Sequence, residues 1–113
     1  ALSLRASADT RLSVPGVDGF HIVVGHVPNF ARGAVKADLL IAGHTHGGQV
    51  QLPPIGPALT LSDVPRDWAS GVTEITPGKT LIVSRGIGME RGYAPRLRFL
   101  CRPQLVIVDL QPG

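Results

Sequence analysis

The sequence predicts an α/β fold built mostly from strands, on three observations. Two short apolar runs, His21-Ile22-Val23-Val24 and Leu39-Leu40-Ile41-Ala42, each lead into a Gly-His pair, at Gly25-His26 and Gly43-His44. Such runs, β-favouring and bounded by glycine, read as buried strands. The stretch between them, Phe30 to Ala37, is long enough to cross from one parallel strand to the next, near the short limit for such connections. Further on, Gly71–Thr76 and Thr80–Ser84 flank Pro77-Gly78, a hairpin signal.

Composition bounds the rest. A chain of 113 residues allows one small domain with a modest core. Hydrophobic residues make up 43% and charged residues only 17%, a globular balance with a sparsely charged surface. Part of that surface is therefore expected to be covered by more protein. The net charge of +3 is a mild preference for anions and too weak to argue for nucleic acid. Cys101 is the single cysteine, so no intrachain disulfide forms and the redox compartment is not set. No apolar run approaches membrane-spanning length, and the first residues lack a basic-then-apolar leader pattern. Because the chain starts at Ala1, a leader or anchor could precede it, and cytoplasmic and membrane-associated placements both stay open.

The elements follow in order. Leu2–Ala6 alternates loosely and is expected as an edge strand, before the turn cluster Val14 to Gly19. His21 opens the first central strand and reads as a polar residue at its edge. Pro28 ends ladder pairing, and Asn29 is a candidate cap for a two-turn helix that Gly33 weakens. The second central strand runs to Ala42. Gly48 to Leu52 alternates and is expected to leave the site as a short strand, followed by a proline-rich loop to Asp67. Loops of that length are often functional, so it reads equally as a cleft wall and as packed surface. Trp68 reads as a packing anchor. Gly86-Ile87-Gly88 reads as a tight turn, since a lone Gly-x-Gly without a helix signal is weak support for a phosphate loop. Gln104 to Leu110 is expected as a last strand.

The chemistry concentrates in Gly43-His44-Thr45-His46-Gly47-Gly48-Gln49. In an extended chain residues i and i+2 point to one face, so His44 and His46 could share one small space. If the two Gly-His strands are parallel, His26 joins them at the carboxyl edge of the sheet, where open α/β sheets bind ligands. Neutral imidazole is a good ligand for zinc, iron and related ions. For a bare His-x-His a polar loop pair is the simpler reading. The flanking glycines, the buried strand and the second Gly-His tip the balance towards a metal site. Three histidines suffice for one zinc with an open water position. Between Arg85 and Arg102 stand five arginines against one acid, Glu90. Arginine forks suit phosphate, although a solvated face is the commoner use of such a run.

These residues resemble the calcineurin-like metallophosphoesterases. Gly25-His26-Val27-Pro28 and Gly43-His44-Thr45-His46 look like the last two metal motifs of that family. The string Gly43 to Gln49, with Leu52-Pro53-Pro54-Ile55-Gly56-Pro57, Ala69-Ser70-Gly71-Val72 and Val83-Ser84-Arg85-Gly86-Ile87-Gly88, resembles a bacterial branch of it. The likeness covers about Phe20 to Leu110.

It implies the carboxy-terminal half of a β-sandwich flanked by helices, spanning 1–113, and hydrolysis of phosphomonoesters or phosphodiesters. The family holds two divalent ions, commonly manganese, iron or zinc, about 4 Å apart, which activate a hydroxide against phosphorus. By the resemblance His26 and His44 bind one ion and His46 the other, while Arg85, Gly47 and Gly48 face the substrate. A lipid-linked or nucleotide-linked phosphate ester is implied, with peripheral membrane contact in the lipid case.

The family's earlier motifs, Asp-x-His, Gly-Asp and Gly-Asn-His-Asp/Glu, do not occur in this chain. The catalytic-acid histidine of the Asn-His motif is missing with them, so no catalytic residue is assigned. A half-sheet would leave an unpaired edge, so a partner is expected, either the missing amino-terminal half or a second copy. Two other readings stay open: a self-associating module without catalysis, and a mononuclear three-histidine zinc hydrolase.

Overall fold

The computed structural model describes residues 1–45, 51–52, 56–57, 64–88 and 100–112. Its centre is a four-stranded sheet. We number the strands β1 (Ser13–Val14), β2 (Ile22–Val24), β3 (Ala34–Val35), β4 (Leu39–Ala42), β5 (Gln51–Leu52), β6 (Gly56–Pro57), β7 (Gly71–Thr76) and β8 (Lys79–Val83). The sheet order is β2-β4-β8-β7. β4 is flanked by parallel neighbours on both sides, with Val23 opposite Leu40 and Leu40 opposite Leu81. β7 returns antiparallel to β8. The hairpin turn has Gly78 at φ +78°, a conformation that favours glycine, and the Glu74 carboxylate accepts the Gly78 N–H. The expected α/β class, dominated by strands with few helices, holds.

The core lies on one face of this sheet. Val23, Leu40, Ala42, Leu81 and Val83 share it by strand alternation, and Phe30, Ala31 and Val35 pack over them. Phe30 is fully buried. Trp68 and Ile75 pack against the same cluster, so the tryptophan is the expected anchor. On β2 the alternation leaves Ile22 and Val24 each 39% exposed.

Three local expectations are corrected. Leu2–Ala6 is not a strand: Leu4–Ser7 is a short α-helix (α1), started by the Ser3 hydroxyl, which accepts the Ala6 N–H at 3.2 Å. Only Leu2 behaves like an edge residue, its N–H donating to Val24 O at 2.7 Å. The crossover is not a capped α-helix but a 3-10 turn, Pro28–Arg32, running into β3. Asn29 sits inside it, and its amide donates to Ala8 O instead of capping. Gly33 explains the early stop. A β-carbon there would stand 2.1 Å from Leu12 O, so the backbones are in direct contact and leave no room for another turn. Finally, residues 104–110 form no strand among the described residues. Gln104 N–H bonds Gly86 O, and beyond it the alternating side chains lack a ladder, with Leu105 83% and Ile107 81% exposed.

Of the strand expected from Gly48 to Leu52, Gln51–Leu52 forms β5, paired antiparallel to β6, and residues 48–50 lie outside the described residues. Most of the loop to Asp67 lies outside the described residues. Among the described residues no helix is long and apolar enough to cross a membrane.

Candidate metal centre

The parallel ladder is continued past both strand ends. Gly25 N–H donates to Ile41 O at 2.9 Å, Gly43 N–H to His26 O at 3.0 Å, and Ser84 N–H to Ala42 O at 3.0 Å. These bonds fix the chain one residue before each histidine, so His26 and His44 emerge side by side at the carboxyl edge. His44 Nδ1 lies 3.1 Å from His26 Nε2, and the rings meet edge to face with centroids 4.9 Å apart.

The two glycines before these histidines do different work. At Gly25 a β-carbon would meet Phe30 Cε1 at 2.6 Å and Ser7 Cβ at 2.8 Å, so only glycine fits under the fully buried ring. At Gly43 the nearest atoms would be 3.9 Å away, so no close approach requires glycine there. The sharp turn falls instead on His44 itself, at φ 65°, with Thr45 N–H closing a three-residue turn onto Gly43 O at 2.8 Å. Turns of this kind are rare and strained for a residue with a side chain. Thr45 holds it in place: its buried hydroxyl donates to Ala69 O at 2.5 Å. Because His44 is left-handed and not extended, i, i+2 alternation does not set its direction relative to His46. His46, Gly47 and Gly48 lie outside the described residues.

The pair fits a shared metal ion. Two nitrogens each about 2.0–2.1 Å from one tetrahedral ion stand about 3.3 Å apart, close to the 3.1 Å seen here. Without an ion, one imidazole donates its N–H to the other, which requires complementary tautomers. Among the described residues no group of three or more His, Cys, Asp or Glu side chains converges.

Arg85 follows β8, the strand beside β4, and so lies at the same edge as His44. Its backbone N–H and its Nε both donate to Gln104 Oε1, at 3.3 and 3.4 Å. Gln104 thus holds Arg85 in place, a contact that the sequence did not signal. It lies 19 residues away, and nothing in its local pattern marks it. Gly86 is at φ +64°, and the chain bends at Ile87-Gly88 where a tight turn was expected. His21 is structural. Its ring nitrogen Nδ1 meets Lys36 O at 2.9 Å and its N–H donates to Asp38 Oδ2 at 2.7 Å, at the opposite end of β2. Of the arginine run, Arg91, Arg96 and Arg98 lie outside the described residues.

Comparison with known proteins decides the family. The chain is 36% identical over 91 residues to an uncharacterized metallophosphoesterase of Aquifex aeolicus, covering 80% of this chain and 32% of that protein. It is 36% identical over 94 residues to the uncharacterized metallophosphoesterase YkuE of Bacillus subtilis, covering 81% and 31%. A third relative is the phosphodiesterase YaeI of Escherichia coli, 32% identical over 74 residues, 65% of this chain and 25% of that protein. The chain belongs to the metallophosphoesterase family. No family model and no solved structure matches it. This metallophosphoesterase chain spans about a third of the length of the first two of these relatives. Metallophosphoesterases use divalent metal ions, and the facing nitrogens of His26 and His44 are the described groups that suit one.

Proposed function

We propose that the chain is the carboxy-terminal part of a calcineurin-like phosphoesterase domain that hydrolyses phosphomonoesters or phosphodiesters at a two-metal centre. The observation that carries this reading is the 3.1 Å approach of His44 Nδ1 and His26 Nε2 at the ends of two parallel strands. In this reading His26 and His44 hold one ion and His46 contributes to the second, with manganese, iron or zinc as the metals. The ions supply charge neutralisation at phosphate oxygens and an acidified water for attack on phosphorus.

The chain's own residues orient the substrate. Arg85, clamped by Gln104, offers its guanidinium to a non-bridging phosphate oxygen. The Gly47-Gly48 backbone lets the ester approach closely. The strained turn at His44 fixes its imidazole before any ligand arrives, which lowers the reorganisation needed on binding.

The remaining ligands and the acid for the leaving group come from an amino-terminal segment. Its docking surface includes the apolar residues left open on this chain, Leu105 and Ile107 foremost. The same exposure supports self-association when the 113-residue chain stands alone.

The test is metal analysis together with hydrolysis of nitrophenyl phosphate and bis-nitrophenyl phosphate by the full-length polypeptide carrying this segment. Expected are bound divalent metal and metal-dependent turnover, both lost in His26→Ala and His44→Ala. Absence of metal uptake by the full-length protein overturns the reading. In sedimentation, the 113-residue chain should associate with rising concentration.

A further inference from the structure

A cleft of about 630 Å³ opens at the end of the sheet away from the histidine pair. Thr76 and Lys79, cross-strand partners at the β7–β8 turn, form one lip. Arg32, at the end of the 3-10 turn, forms the other. Val64, Trp68 and Ile75 line its interior, and all three are at least half-buried or pack against the core. Neither His26, His44 nor Arg85 reaches it. The volume is within the range that holds small organic ligands.

The lining has a consistent chemistry. The walls are apolar and include the only tryptophan of the chain. The described polar side chains at the mouth are those of Arg32, Lys79 and Thr76. Partial burial lowers the pKa of the Lys79 ammonium from the ordinary lysine value through desolvation. A half-buried cation at an apolar mouth gains from an anion that enters beside it.

We propose that this cleft binds a small organic anion with an apolar body, an aryl or short acyl carboxylate, its charge against Lys79 and Thr76 and its apolar part against Trp68 and Ile75. The site is separate from the metal centre, and its occupancy does not depend on the phosphoesterase reading. Arg32 at the facing lip adds long-range attraction for the same sign of charge.

Trp68 supplies the readout, because it lines the cleft and is the chain's only tryptophan. The 113-residue chain, free of added metal, is titrated with phenylbutyrate and with phenylbutanol, its neutral counterpart. Expected is a saturable change in Trp68 fluorescence with phenylbutyrate, and binding at least about ten-fold weaker with phenylbutanol, the loss that one charge-assisted contact entails. Lys79→Gln should weaken phenylbutyrate by a similar factor, Lys79→Arg should retain it, and His44→Ala should leave it unchanged. No saturable change, or equal affinity for the acid and the alcohol, overturns the proposal. So does Lys79→Gln binding as well as the parent while its circular dichroism stays native. If Lys79→Gln fails to fold, the comparison of acid with alcohol in the parent and in Lys79→Arg decides. Equilibrium dialysis on the full-length polypeptide is the last arm. Binding there supports the site, whereas binding only to the 113-residue chain shows that the cleft is an internal interface and refutes it.

Discussion

His44 is both strained and aimed at His26, and the two properties can be separated by substitution. Its left-handed backbone at φ 65° costs about 1–2 kcal/mol for a residue with a β-carbon. Glycine removes that cost but adds about 0.5–1 kcal/mol of unfolded-chain entropy. His44→Gly should therefore raise the stability of the metal-free chain by about 0–1.5 kcal/mol. His44→Ala keeps the β-carbon and the strain, and the half-exposed ring it removes fills no core space. Its metal-free stability should change by less than about 1 kcal/mol. With zinc at a hundred times its dissociation constant the parent should gain about 2.7 kcal/mol, because the ion binds only the folded state. Both variants should lose most of that gain, and the structural control His21→Ala should keep it. The assay is urea unfolding followed by circular dichroism, with chelator and with zinc. If His44→Gly is less stable than His44→Ala in chelator, the strain argument is wrong. If the variants gain as much from zinc as the parent, His44 is not a ligand.

Further outcomes follow from the same geometry. Gly25→Ala should destabilise the chain by about 1–3 kcal/mol in urea unfolding, since its β-carbon would stand 2.6 Å from a Phe30 ring that has nowhere to move. Gly43→Ala should fall within about 0.5 kcal/mol, with 3.9 Å to the nearest atoms. On the proposed phosphoesterase reading, Gln104→Leu in a polypeptide that carries the amino-terminal segment should raise KM for an aryl phosphate several-fold while leaving metal content unchanged, because it frees Arg85 without touching the histidines; an unaltered KM would show that the clamp is irrelevant. Lys79 has a folded pKa lowered by desolvation, so between that value and the unfolded 10.5 the unfolded chain binds more protons. Its penalty is full at neutral pH and is relieved as pH rises through the folded pKa. Lys79→Met should raise the neutral-pH Tm and flatten the rise of Tm with alkaline pH.

How much of this was legible in the residues depends on whether the cause is local. The runs Ile22-Val23-Val24 and Leu39–Ala42 announce β2 and β4, because β-branched side chains between glycines have few other uses. Their parallel pairing was an expectation conditional on a crossover between them, and β2 and β4 do pair in parallel, which brings His26 and His44 together. The hairpin at Gly78 was equally plain, its positive φ encoded by the glycine itself. What the sequence concealed is set by contacts distant along the chain. Gly25 is dictated by Phe30 and Ser7, and Gly33 by Leu12, so neither role is visible in a window around it. The strain at His44 is held by Thr45 through Ala69, 24 residues away. Residues 104–110 carry a true strand pattern, yet a pattern states only what a segment would do beside a neighbour.

The charges of the described acids bear on where the rest of the centre comes from. Asp38 accepts the His21 N–H at the far end of β2, Asp9 accepts the Arg11 N–H, and Glu74 accepts the Gly78 N–H. These three carboxylates are committed to local turns and strand ends, and no described acid joins the histidine pair. Two neutral imidazoles can orient a divalent ion but cannot balance its charge. Two ions close together, as the proposed centre requires, repel strongly unless anionic ligands lie between them. On the reading that an amino-terminal segment brings those carboxylates, the 113-residue chain should hold a single zinc weakly. The full-length polypeptide should hold two ions, the first more than about 100-fold more tightly, because coordinating and supporting groups each contribute one to two orders of magnitude. Isothermal titration with zinc on both proteins measures stoichiometry and affinity together. Equal affinities, or two tightly bound ions on the short chain, would place the anionic ligands within these 113 residues and remove the need for any outside segment.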